Sequence, residues 1–239
     1  MLRKIKHLLN RRQYRRSSPI QPGVSGFFSS DGQDRYIAET VFKNRRNGIF
    51  VDIGANDGVT LSNTCYLERE LGWQGIAIEP LPETYAKLRG QRQCFTLNAC
   101  ITDYDGEAGF LDISGRAEML SGLIDKYDPR HVRRIHKSLK RLGGEKKEIR
   151  VKCLTLASAL HQYGFENIDY LSVDTEGGEL DIIRSIDFNA IPVTAISVEN
   201  NYFDYTFRDC LGGFGFELVA VLGVDEVYVN RQHKIDQAA

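Results

Sequence analysis

The stretch FVDIGANDG, Phe50–Gly58, runs from an apolar strand pattern into a glycine-punctuated loop, and what sits above that loop decides the reading of the chain. In an open parallel sheet, ligands lie beyond the carboxyl ends of the strands, where the first strand turns into its helix. A phosphate-cradling P-loop would continue with Gly-Lys and then Ser or Thr. Here Val59-Thr60-Leu61-Ser62 follows, which excludes it. A dinucleotide fingerprint has the form G-x-G-x-x-G; Gly54 matches its first glycine, but Asn56 and Val59 stand at the other two, so a pyrophosphate has no seat. An adenosine ligand without linked phosphates fits, and S-adenosylmethionine (SAM) is such a molecule; the alternative is an ordinary strand-to-helix turn with a solvent-facing glutamate. Glu79 supports the adenosine ligand, ending the second strand 21 residues after Gly58, where an acid accepts hydrogen bonds from both ribose hydroxyls. Asp52, at the end of the first strand, is placed to answer the methionine ammonium directly or through water.

Outward from this loop, short apolar runs alternate with helical patterns, which predicts an α/β fold: a mostly parallel sheet with helices on both faces. The first strand, IFVDIGA, leads to a helix over 63–71, where Leu67 and Leu71 share a face, and then to the strand GIAIEP (75–80). The next helix opens with Pro82 and stops at Gly90. CFTLNACI (94–101) reads as a third strand and 106–114 as a further extended piece, followed by a helix over 128–142 and the extended run IRVKC. IDYLSVD (168–174), a helix after Gly178 and VTAISVE (193–199) complete the alternation. FELVAVLG and DEVYVNR, parted by a Gly-Val-Asp turn signal, read as an antiparallel hairpin at one side of the sheet. The expected organisation is one domain over 27–232, a basic arm over 1–26 and a short tail over 233–239.

The 239 residues carry a formal net charge of −1, which gives no global case for nucleic acid. Five cysteines without a Cys-x-x-Cys pair read as reduced thiols in a cytoplasmic protein. The charge is uneven. Arg3 to Arg16 form a basic arm around Leu2, Ile5, Leu8 and Leu9, expected to be solvated, with peripheral contact to the inner membrane face as the alternative. Residues 130–152 form a second basic segment, within a stretch 128–152 read either as a solvated helix face or as an inserted lid that attracts an anionic acceptor.

FVDIGANDGVTLSNT, GWQGIAIEPLPETYAKL and YLSVDTEGGELDIIRSIDF together resemble the FkbM family of SAM-dependent methyltransferases, a likeness extending from Gly32-Gln33-Asp34 to Val227-Tyr228-Val229. The resemblance implies a seven-stranded Rossmann-like methyltransferase sheet and O-methylation of a hydroxyl on a sugar, glycan or glycosylated natural product. It implies cofactor contacts at Asp52, Gly54, Ala55, Asn56 and Gly58, at Glu79, and at Gln33. Pro80, beside Glu79, and Cys100 on the third strand complete the expected set. It says least about 130–152, and so about the acceptor.

A sugar hydroxyl is a poor nucleophile, so a base or a metal must help remove its proton. Asp174 and Glu176 end one core strand, Glu199 and Asn200 the next, and carboxylates so crowded raise one another's pKa. The spacing is similar to the magnesium site of catechol O-methyltransferase, which would make Asp174, Glu199 and Asn200 ligands of Mg²⁺ or another divalent cation. Without a metal, Asp174 or Glu176 is the general base and Glu199 pairs with an arginine or lysine of the basic segment. Glu179 is expected to stabilise the positive end of its helix, with Glu176 as a candidate cap. The histidines fit no ligand spacing, although His136 is conceivable over the methyl group, and Tyr202, Phe203, Tyr205 and Phe207 read as packing or as a sugar-facing wall. Two rival functions stay open. An NAD-dependent sugar oxidoreductase or epimerase is disfavoured by the glycine pattern and the lack of a Tyr-x-x-x-Lys pair; the other rival is an inactive, membrane-associated binding module.

Overall fold

A computed structural model of the chain describes residues 26–127, 129–203 and 205–233; the basic arm, apart from its last residue, and almost all of the tail lie outside the described residues. The chain enters through a helical turn, α1 (Gln33–Arg35), that continues as a π-helical stretch, Tyr36–Val41, burying Ile37, Ala38 and Val41. Then come β1 (Ile49–Ile53), α2 (Cys65–Leu71), β2 (Gln74–Ile78), α3 (Pro82–Gln91) and β3 (Phe95–Leu97). A smaller set follows: β4 (Cys100–Ile101), β5 (Gly106–Ile113), β6 (Gly122–Leu123), α4 (Pro129–Leu142) and β7 (Lys146–Leu154). The domain closes with α5 (Leu156–Tyr163), β8 (Ile168–Val173), α6 (Glu179–Ser185), β9 (Val193–Glu199), α7 (Thr206–Gly212), β10 (Phe216–Leu222) and β11 (Asp225–Asn230).

The main sheet has seven strands in the order β10-β11-β9-β8-β1-β2-β3, parallel except for the antiparallel β10–β11 hairpin and the antiparallel β11–β9 pairing. Strand order reverses between β1 and β8, and that switch point opens a crevice at the carboxyl edge. Alternation along the strands divides the core in two. Val51, Ile53, Ile78, Val173 and Val198 pack on one face with Leu160, Ile182 and Phe207, whereas Phe50, Tyr170, Ala195 and Val227 pack on the other with Ile37, Leu67 and Trp73.

The expected third strand over 94–101 is divided. Phe95–Leu97 joins the main sheet, but Cys100–Ile101 pairs with β7 in a second sheet, order β4-β7-β5-β6. Asn98 sits at the break, and its amide donates to the carbonyls of Glu79 (2.8 Å) and Pro80 (2.9 Å). The chain thus leaves one sheet for the other beside the end of β2. Helix α4 lies in the connection between β5 and β7, its apolar side (Ile135 and Leu139) packed with Ile113 and Leu120.

Candidate active site

A cleft of about 1080 Å³, counting the part open to solvent, lies at the switch point between the two sheets. Gly54, Asn56, Glu79, Pro80, Cys100, Asp174 and Glu176 line it, so seven of the expected site residues meet there. Gly54 has φ +89°, and a Cβ on it would stand 1.7 Å from the carbonyl oxygen of Asp174. The glycine therefore serves the close approach of β1 and β8 before it serves any ligand. Asn56, also left-handed at φ 50°, turns the loop back so that its amide donates to Glu79 Oε2 (3.1 Å). The Leu81 amide donates to Glu79 Oε1 (2.9 Å). Each carboxylate oxygen keeps a lone pair beyond these bonds, the acceptor capacity a ribose diol requires. Burial pushes Glu79 up to about 7, with Asp52 adding and the two amides opposing.

Other expected contacts lie elsewhere. Asp52 shares the Phe50 face of β1, opposite Ile53, which lines the cleft, and its Oδ2 accepts from Thr64 Oγ1 (2.6 Å) at 4% exposure. Period-two alternation turns this acid away from the crevice. Ala55 is buried against Ala77 and Leu88. A Cβ on Gly58 would meet Leu88 (2.6 Å) and Arg92 (2.7 Å), so the loop's second glycine answers the packing of α3. Gln33 Nε2 donates to Asp225 Oδ2 (2.9 Å) at the start of β11.

Sequence reasoning missed the group that holds this loop. Arg92 has a fully buried side chain, donating to Glu68 Oε2 (2.7 Å), the Gly58 carbonyl (3.0 Å), Ser62 Oγ (3.4 Å) and Thr64 Oγ1 (3.0 Å). Thr64 passes the connection on to Asp52. Nothing in the run Arg92-Gln93 marks the arginine as buried, because its partners come from α2 and the glycine loop.

At the ends of β8 and β9 the acids crowd together. Burial, then Asp225, Glu176, Glu179 and Asp52, hold Asp174 well above the usual carboxylate range. Burial, then Asp174 and Glu176, push Glu199 up to about 10. Glu176 rises to about 7 through burial, opposed by Arg134. The basic segment does reach this site, but Arg134 Nη1 pairs with Glu176 Oε2 (2.8 Å) and not with Glu199, correcting the metal-free pairing expected above. Glu176 is not a helix cap. Glu179 Oε1 instead reaches back to the amides of Thr175 (3.0 Å) and Gly177 (2.8 Å), fixing the loop that carries Glu176. Among the described residues no three His, Cys, Asp or Glu side chains group as a metal site. Asp174 and Glu199 would need Asn200 to complete a set, and its amide nitrogen donates to Glu226 Oε1 (2.9 Å). His136 is exposed, whereas His131 is buried and stacks on Tyr127 at 5.0 Å. Phe207 is core, and Tyr202 lies under Arg130, 3.7 Å from ring centroid to guanidinium.

The sheet order and its switch-point cleft are those of a Rossmann-like α/β domain, and the match to a family model makes the chain a SAM-dependent methyltransferase. The chain belongs to the FkbM methyltransferase family, whose methyltransferase FkbM domain model matches residues 52–227. No curated protein matches the sequence. Solved structures with a similar course include precorrin-6y C5,15-methyltransferase from Geobacter metallireducens, at 9% identity over 88% of this chain and 93% of that one, TM-score 0.41. Aeropyrum pernix fibrillarin with natively bound SAM matches at 11% identity over 89% and 84%, TM-score 0.40. Likeness this slight adds nothing to the family assignment.

Proposed function

We propose that the protein transfers the methyl group of SAM to a hydroxyl of a sugar, glycan or glycosylated acceptor, with the Asp174–Glu176 pair receiving the hydroxyl proton. The observation that carries this reading is that both acids line the same cleft as Glu79 and both have raised proton affinity. A base whose pKa lies near the working pH is the efficient one for removing such a proton, and Glu176 rises to about 7. SAM supplies an electrophilic methyl on a sulfonium. Glu79 receives the ribose hydroxyls and the turn at Gly54–Asn56 borders the adenosine. The rest of the rate comes from holding the acceptor oxygen in line and excluding water.

Asp174→Asn keeps the shape and removes one carboxyl of the Asp174–Glu176 pair, so methyl transfer from radiolabelled SAM is expected to fall to background while S-adenosylhomocysteine affinity stays near the parent value. Full activity in this variant refutes the assignment. Divalent-cation assistance through Asp174, Glu199 and Asn200 is a second reading, favoured by the mutual repulsion of the two acids. Activity unchanged by EDTA rules it out.

A further inference from the structure

We propose that the outer face of α4 holds a phosphate or diphosphate group carried by the methyl acceptor. This rests on the methyl-transfer reading and narrows its substrate class. The helix sequence PRHVRRIHKSLKRL contains no acid. Its inner side is anchored by buried His131 and Ile135, while Arg130, Arg133, Arg134, Lys137, Ser138 and Arg141 line one outer groove. These positions recur at three- and four-residue spacing, which stacks like charges above one another. Like-charge pairs at that spacing destabilise a helix, and a merely solvated face relieves them with interspersed glutamates. A local rule broken this way marks a functional surface.

The groove adjoins the cleft. Tyr127, just before α4, lines the cleft, and Arg134 bonds the cleft-lining Glu176. Arg130 is stacked on Tyr202. Arg133, Lys137 and Arg141 have neither an ion pair nor a hydrogen bond among the described residues, and they run at i, i+4 and i+8, roughly 12 Å along the helix. Guanidinium and ammonium donors so arranged suit the multiple acceptor oxygens of a phosphate ester. An acceptor bound by its phosphate on this face extends its sugar toward Glu176 and Asp174.

The full chain is titrated calorimetrically with inorganic pyrophosphate and, separately, with S-adenosylhomocysteine. Pyrophosphate is expected to bind the parent, more weakly as salt rises. The triple variant Arg133→Gln, Lys137→Gln, Arg141→Gln is expected to lose about tenfold or more of that affinity and to bind S-adenosylhomocysteine like the parent. Equal pyrophosphate binding by both proteins overturns the proposal. So does sedimentation of the parent, but not the variant, with phosphatidylglycerol vesicles in saturating pyrophosphate, which identifies a membrane as the occupant. Absence of S-adenosylhomocysteine binding in the parent sinks the methyl-transfer reading instead, and the pyrophosphate titration reports on the helix face separately.

Discussion

Replacing Arg92 with methionine removes the one cation of a buried network while keeping much of the side chain's length and apolar stem. Four hydrogen bonds disappear, to Glu68, Gly58, Ser62 and Thr64. The larger effect is on what remains: Glu68, its side chain 9% exposed, and Asp52, 4% exposed, are left in the interior without their counter-charge. Burial alone raises Glu68, but Arg92 and the Gln93 amide outweigh it and hold that carboxyl below its usual range. Removing one partner of a buried ion pair costs about 3–5 kcal/mol. In a domain of this size each kcal/mol lowers Tm by about 2–4 °C, so the variant should melt roughly 6–20 °C below the parent by calorimetry or circular dichroism. Glu68→Leu combined with Arg92→Leu removes the pair together and should be less destabilised than Arg92→Met, since an apolar replacement of a buried pair is often neutral. A single variant melting within about 2 °C of the parent refutes the view that this network holds the glycine loop.

Gly54→Ala sets a Cβ against the Asp174 carbonyl at a left-handed backbone position, and a stability loss beyond about 2 kcal/mol is expected in urea titration; an unchanged midpoint contradicts the close approach. Because burial raises Glu79 to about 7 in the folded protein from its ordinary value near 4.5, its neutral form is favoured by folding, and its contribution to stability is lost as pH rises from that ordinary value through about 7. Ribose hydroxyls donate to the ionised form, so S-adenosylhomocysteine affinity should increase as pH rises, by up to about tenfold per unit below 7. Glu79→Gln should bind more weakly with a flat profile; a flat profile in the parent removes Glu79 from the ribose role.

What the sequence by itself determined is what depends on order and local period. VTAISVE is the observed strand Val193–Glu199, the Gly-Val-Asp turn signal separates the observed hairpin, and the glycine loop stands where β1 meets the crevice. Apolar runs of strand length must be buried, and strand ends in a parallel sheet converge on one edge, so a linear pattern suffices. The direction each side chain takes was partly legible: Asp52 lies two residues from Phe50, and alternation alone assigns them one face. Other features arise only when distant segments meet. Arg92 gains its partners from residues 24 to 34 positions away, Glu176 meets Arg134 across 42, and the carboxyls of Asp174 and Glu199 acquire raised proton affinity from burial among other acids. Charge burial and pairing depend on three-dimensional distance and local dielectric, quantities that spacing along a chain does not contain.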